Sequence, residues 1–338
     1  MKAVSLNSPL KIGMRSVPMA ERRNANEVLI KVRALGICGS DIGAFRGSNP
    51  LVSYPRILGH EIGGEVLEVG ESASGIAVGN KVVVEPYLPC RECYSCSMGR
   101  TNCCEQLKVL GVHIDGGMAE YFSHPVEWVH RVPDEMEWKQ VAMIEPLTIA
   151  LHANHQAKVK TREHVLIIGA GTIGLLAAQV AQVYGAIPIV MDIEKERLKL
   201  ARAIGMPYTL QPGEGNVIEQ VQEITHGRMA EAVIEASGAK SAIYSIFDYV
   251  SYAGRIVLVG WPKGETPLAT AVITKKELTV AGSRNSVGEF AEATQLIQSK
   301  QVQLEPLISR VVTLEGIPDA VESIASHPDK FMKVVAVL

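Results

Sequence analysis

Residues 163–184 read EHVLIIGAGTIGLLAAQVAQVY. A short apolar run ends in Gly169-Ala-Gly171-Thr172-Ile173-Gly174 and passes into a helical pattern. Each glycine has a physical task in such a turn. The first makes it tight, the second lets backbone approach a pyrophosphate, and the third lets helix and strand pack closely. The helix N-terminus offers N–H groups and a positive dipole end to phosphates. A lone GxGxxG is also met in ordinary strand-to-helix turns, so its surroundings decide. Asp192 ends the next apolar run, about twenty residues on, where a carboxylate accepts hydrogen bonds from adenosine ribose hydroxyls. A 2′-phosphate there would meet like charge, which favours NAD over NADP. Arg197, just beyond, is a candidate to stack on adenine or is a solvated helix charge.

The pattern continues outward. Strand-like IPIVMD, AEAVIEAS, GRIVLVG and ELTVAGS alternate with helix-like EKERLKLARAIG and SAIYSIFDYVS. Strands alternating with helices predict a doubly wound parallel sheet, an α/β fold. Continuous apolar strands fit burial on both sheet faces. Residues 1–145 read differently. EVLIKVRALGI, GHEIGGEVLEVG and NKVVVEPYL are short strand signals divided by Gly, Asn and Pro, which predicts a barrel-like β domain. MKAVSLNSPLKIG reads as a first strand. After 288 a helix is expected over EFAEATQLIQSK, with Ser286 and Glu289 at capping-box spacing. KVVAVL reads as a last strand that returns to the first domain. The expected domains are 1–147 with 289–338, and an inserted 148–288.

The 338 residues are 47% hydrophobic and 20% charged, with net charge −3. No basic field draws such a chain to nucleic acid or an anionic membrane. No apolar run approaches the ~20 residues that span a bilayer. The first residues lack the apolar core of a signal peptide, so a cytoplasmic location is expected. There is no internal repeat or low-complexity tract.

Six cysteines are present, five of them within residues 90–104. CRECYSCSMGRTNCCE has the spacing C-x2-C-x2-C-x7-C over Cys90, Cys93, Cys96 and Cys104. Four thiolates on one loop make a closed tetrahedral zinc site, which stabilises a lobe (88–106) too small to build a core. Cys103 is a bystander thiol. A zinc ribbon that reads nucleic acid would bring basic and aromatic companions, which this loop lacks. Three further residues, Cys38, His60 and Glu145, stand far apart. Each has a plain reading: a buried thiol, a hydrogen-bonded core histidine, a carboxylate at a helix start. Spacing alone does not join them.

Together these features resemble the zinc-dependent medium-chain alcohol/polyol dehydrogenase family. The matching stretches are GICGSD at 36–41, GHE at 59–61, the four-cysteine lobe, EP at 145–146, and GAGTIG with Asp192. The resemblance covers essentially the whole chain. It implies a GroES-like β-barrel catalytic domain, an inserted Rossmann domain, and a catalytic zinc in the cleft between them. Cys38, His60 and Glu145 would hold that zinc. A glutamate at the third position resembles the sorbitol dehydrogenase branch, where Glu61 would lie near the metal as a water-mediated or exchanging ligand. Asp41 would orient His60, Lys333 would sit near Asp41 and Glu61, and Ser40 would take the substrate proton. Many relatives pass that proton to a histidine five residues after the zinc cysteine; here the position is Gly43. Ser237 and Val259 would join GAGTIG, Asp192 and Arg197 in holding NAD. Two zinc ions per chain and a homodimer or homotetramer are implied, with pairing near 265–283.

A narrower resemblance lies in SYPRILGHE, GRTNCCE, VLGVHIDGG and AGSRN, which look like the bacterial L-galactonate and L-gulonate 5-dehydrogenases. It implies oxidation of a sugar acid to a ketone with hydride transfer to NAD. Arg284 is then the candidate for the substrate carboxylate, a group best met by a bidentate arginine. Asn285, Arg56 and His113 are lesser candidates, and Arg46 reads as structural. Rival readings are a neutral polyol, polyol-phosphate or aminocyclitol dehydrogenase. A rival of another class is a non-catalytic nucleotide-binding regulator on the same scaffold. Retention of Cys38, His60 and Glu145 argues against that reading and against a zinc-free quinone reductase.

Overall fold

The computed structural model describes residues 1–22, 24–71, 75–262 and 264–338. The chain divides into two compact units. The first comprises Met1–Glu145, Phe290–Lys300 and Leu307–Leu338; the second comprises Pro146–Glu289 and Gln301–Pro306. The short stretch 301–306 belongs to the second unit.

The second unit is built on a six-stranded sheet. Its order is Tyr208–Leu210, Ile187–Met191, His164–Ile168, Ala230–Glu235, Val250–Leu258, Thr279–Gly282. Every neighbouring pair is parallel. Succession runs outward from His164–Ile168 in one direction, then restarts beside it at Ala230–Glu235 and runs the other way. This is the doubly wound Rossmann order, and its switch point lies between those two strands. All five residues of His164–Ile168 are buried, as a strand covered on both faces must be. Leu166, Ile168, Ile189, Val233 and Ile256 form its core. The strand Tyr208–Leu210 and the helices Val217–Ile224 and Thr270–Lys276 carry too few contiguous signals to stand out in the sequence.

In the first unit a larger sheet runs Val129–Arg131, Lys81–Val84, Glu61–Val69, Glu27–Ile37, Lys333–Val337, Ile308–Val312. Tyr121–Pro125 pairs with the first half of Glu27–Ile37. The C-terminal strand returns antiparallel to Ala34–Ile37, as expected. MKAVSLNSPLKIG is a hairpin rather than one strand: Lys2–Ser8 and Lys11–Ser16 turn at Leu10, whose φ is 64°. Among the described residues no helix is long and apolar enough to cross a membrane.

The expected capping box is a correction. The helix begins at Phe290, not three residues earlier. Glu289 instead meets His152 Nδ1 at 2.8 Å and accepts the Val287 N–H, while Ser286 accepts the Thr148 hydroxyl at 2.8 Å. All four side chains are buried, and buried polar groups take the partners within reach.

Candidate metal centre and coenzyme turn

The extended backbone of Cys38 (φ −94°, ψ 156°) opens the short helix Gly39–Phe45. Asp41, in its first turn, accepts the Cys38 N–H at 2.9 Å. Its other oxygen lies 3.9 Å from His60 Nδ1, so it braces the imidazole by charge rather than by a hydrogen bond. Ser40 Oγ lies 3.5 Å from the opposite ring nitrogen, Nε2. His60 immediately precedes the strand Glu61–Val69.

Glu61 stands across from Gly36 in the sheet. A Cβ built on Gly36 would lie 1.6 Å from Glu61 Oε2, so the carboxylate occupies the space a side chain would need. Lys333, the first residue of the last strand, forms a buried ion pair with Glu61. Glu145 accepts a hydrogen bond from the Tyr87 hydroxyl. Sequence reading missed Tyr87 and Gly36. Neither residue type signals chemistry; each acquires its role only when a distant carboxylate arrives.

The ligand atoms of Cys38, His60 and Glu61 all lie within 4.8 Å of one another. Glu145, the expected third ligand, lies beside this group, held by Tyr87. Glu61, expected as a water-mediated or exchanging ligand, lies within it. The electrostatics explain what such a group needs. Burial pushes Glu145 up to about 7 and raises Asp41. Burial disfavours a charged His60, but the Cys38 and Asp41 charges outweigh it and hold its pKa well above the ordinary value. Burial likewise works against a charged Lys333, and Glu61 outweighs it. One lysine faces a thiol and three carboxylic acids, and the buried His60 Nδ1 has no hydrogen-bond partner. A divalent cation meets that demand, and a thiolate, an imidazole and a carboxylate suit zinc.

The lobe residues Cys90, Cys93, Cys96 and Cys104 form a second group, with sulfurs within 4.8 Å. The N–H groups of Cys90 and Gln106 point at Cys104 Sγ, at 3.2 and 3.3 Å. Arg91 turns the chain at φ 68°. The Ser95 hydroxyl pulls the Cys93 thiol down to about 6, while burial pushes Cys96 up to about 12. Four sulfurs crowded this way fit a structural zinc. Cys103 is outside the group.

In the second unit Gly169 takes φ 101° at the end of its strand. A Cβ on Gly174 would stand 1.7 Å from the Gly169 carbonyl oxygen, so the third glycine is required by packing. A Cβ on Gly171 would meet nothing within 4 Å, which leaves that backbone open to a ligand. Thr172 and Ile173 begin the helix Thr172–Val183. Asp192 accepts the Ala170 N–H at 2.6 Å and the Glu194 N–H at 2.8 Å, so its carboxylate is held against the turn. Arg197 Nη1 lies 3.8 Å from it. The Ser237 N–H donates to Glu235 at 2.8 Å, and the Val259 N–H donates to the Glu235 carbonyl at 2.8 Å.

The substrate candidates differ in their commitments. Arg56 donates to Asp115 at 3.2 Å and to Ser53 at 2.6 Å. His113 Nδ1 accepts the Val109 N–H at 3.1 Å. Arg46 donates to the Ala325 carbonyl. Arg284 is exposed and Asn285 takes φ 50°, both just past the strand Thr279–Gly282 of the second unit.

Comparison with known proteins agrees with this geometry. Residues 24–134 match the alcohol dehydrogenase GroES-like domain, and residues 172–299 match the zinc-binding dehydrogenase family. The chain is 50% identical over 337 residues to a Haemophilus influenzae protein described as an uncharacterized zinc-type alcohol dehydrogenase-like protein, covering 99% of this chain and 98% of that one. It is 38% identical over 286 residues to the L-galactonate-5-dehydrogenase of Escherichia coli K12, covering 84% of each. The crystal structure of the alcohol dehydrogenase rspB from E. coli CFT073, complexed with NADH, superposes with a TM-score of 0.92 at 32% identity, covering 100% of this chain and 99% of that one. With the Rossmann order, the thiolate–imidazole–carboxylate group and the four-cysteine lobe already in place, this chain belongs to the zinc-dependent medium-chain alcohol/polyol dehydrogenase family, oxidoreductases that act on CH–OH groups.

Proposed function

We propose that the chain oxidises a secondary alcohol of a sugar acid of the L-galactonate/L-gulonate type, at C5, to a ketone, with hydride transfer to NAD. One observation carries the dehydrogenase chemistry: Cys38, His60 and Glu61 converge in a buried site beside Ser40. Zinc bound there would act as a Lewis acid that lowers the pKa of a substrate hydroxyl. Ser40 receives the hydroxyl proton. Asp41 holds Cys38 by its N–H and keeps a negative charge behind His60. Gly43 offers no imidazole to take the proton onward, so it leaves by water or by Glu61. NAD is favoured over NADP because the buried Asp192 carboxylate, tied to Ala170, would repel a 2′-phosphate.

The sugar-acid assignment is supported by the similarity to L-galactonate-5-dehydrogenase and by Arg284. Arg56 donates to Asp115 and to Ser53, and Arg284, the candidate for the substrate carboxylate, is exposed just past the strand Thr279–Gly282. The test is NADH formation by the two-zinc protein across aldonates, neutral polyols and polyol phosphates. Turnover of aldonates, with KM raised by Arg284→Gln, is expected. Turnover of neutral polyols alone would overturn the sugar-acid reading and leave the zinc dehydrogenase intact. Family resemblance supports a homodimer or homotetramer.

A further inference from the structure

Glu235 is fully buried at the end of the strand Ala230–Glu235. Its carboxylate makes no ion pair with a lysine or arginine among the described residues. It is instead a hub of short-range acceptor contacts. Oε1 accepts the Ser237 N–H at 2.8 Å, the Ser237 hydroxyl, and the Gly238 N–H at 3.0 Å. The Ser237 hydroxyl oxygen in turn accepts the Ala239 N–H at 3.1 Å. The main-chain carbonyl of Glu235 takes the N–H groups of Val259 and Gly260, at 2.8 and 3.0 Å. One residue therefore fixes both loops that leave the ends of two adjacent parallel strands.

The loops touch so closely that side chains are excluded. A Cβ on Gly260 would lie 2.1 Å from Gly238 N and 2.6 Å from Glu235 Oε2. A Cβ on Gly169, in the glycine-rich turn, would lie 2.9 Å from Ser237 N. Ala236 N–H also donates to the Ile168 carbonyl at 2.8 Å, across the switch point. Three segments thus meet at the carboxyl ends of the strands: the glycine-rich turn, 236–238 and 259–260. This is where a doubly wound sheet binds a dinucleotide. Burying a carboxylate costs several kcal/mol unless donors surround it. An apolar residue would have packed the same space more cheaply. Burial indeed raises the carboxyl's pKa, against the pull of Ser237 and Gly238.

We infer that Glu235 is a positioning residue for the coenzyme: its carboxylate holds the 236–238 loop in place beside the glycine-rich turn, with Gly260 packed against both, and so sets nicotinamide dinucleotide affinity. The inference rests on the coenzyme reading above. The test is the NADH dissociation constant, followed by fluorescence of the bound reduced nicotinamide in the two-zinc protein. Glu235→Ala should weaken NADH at least 10-fold and raise the KM for coenzyme in step, while the KM for the alcohol moves less than twofold. Glu235→Gln, which keeps the Oε1 acceptor, should recover part of the loss. Gly260→Ala, which wedges the loops apart without removing the carboxylate, should also weaken NADH, and it decides the matter if Glu235→Ala does not fold. NADH affinity within twofold of the parent in folded Glu235→Ala and in Gly260→Ala would overturn the inference. A parent chain that takes up no NADH would instead overturn the coenzyme reading itself.

Discussion

The two cysteine-bearing metal groups of the first unit are built in opposite ways. The lobe gathers Cys90, Cys93, Cys96 and Cys104 within fifteen residues of chain, around short turns at Arg91 and Thr101–Cys103. The centre gathers Cys38, His60 and Glu61 with Lys333, Tyr87 and Glu145, from a helix start, two cross-strand neighbours and the last strand. The lobe closes on itself with four like ligands, which suits a structural ion. The centre mixes a thiol, an imidazole and carboxylates in a space already rich in acid, which suits an ion that must keep a position open for substrate. A local site can be lost while the fold around it survives; a dispersed site depends on the sheet being correct.

That contrast can be broken at its strongest point. Cys38→Ser should lower turnover by roughly 10³-fold or more and remove one zinc per chain, with the lobe left closed, because the Lewis acid that activates the hydroxyl is gone while the four-cysteine site is untouched. Cys93→Ser should remove the other zinc and open 88–106 to protease, because structural zinc supplies folding energy directly. Metal analysis and limited proteolysis of the two variants check both. If Cys38→Ser opens the lobe, or Cys93→Ser leaves it closed, the division of labour is wrong.

A buried histidine outside both groups provides the next effect. Burial depresses the pKa of His124, whose ring nitrogen meets the Glu85 carbonyl at 3.0 Å, from 6.5 to about 4. Between these values the unfolded chain binds a proton that the folded chain refuses. Stability is therefore lost as pH falls from about 6.5 to about 4, by about 3 kcal/mol in total. His124→Gln should remove that slope. The difference between the two proteins in urea unfolding at pH 7 and pH 4 measures it, because metal loss in acid is common to both. Equal slopes would show that His124 does not carry the effect.

Tyr87→Phe sharpens the roles of the two carboxylates. Freed from the phenol, Glu145 can compete with Glu61 for the metal, so activity should fall roughly 10–100-fold with the fold retained. The absorption spectrum of the cobalt-substituted variant should change as well; an unchanged spectrum would place Tyr87 outside the centre's influence. The smallest effect belongs to Gly43→His. A Cβ there would meet Asn49 Cβ at 3.7 Å and Ser48 Oγ at 3.8 Å, ordinary contact, so the variant should fold and turn over within about twofold of the parent. A large loss would mean that the bare position is itself required.

Local chemistry was legible where neighbours in the chain remain neighbours in space. GAGTIG, Asp192 and the four-cysteine spacing each state a site within a few dozen residues, and the strand–helix alternation stated the parallel sheet. The capping box at Ser286 and Glu289 failed for the complementary reason: both residues found buried partners, Thr148 and His152, far away in sequence.

The sequence by itself determined the ligand types, the Rossmann turn and the family, because residue chemistry and short spacings survive in one dimension. Only the tertiary structure decided which carboxylate joins Cys38 and His60. Glu61 enters because it faces the bare Gly36 across the sheet and is anchored by Lys333; Glu145 stands beside the group because Tyr87 holds it. Buried charges choose partners by distance and desolvation, and those are properties of the packed chain alone.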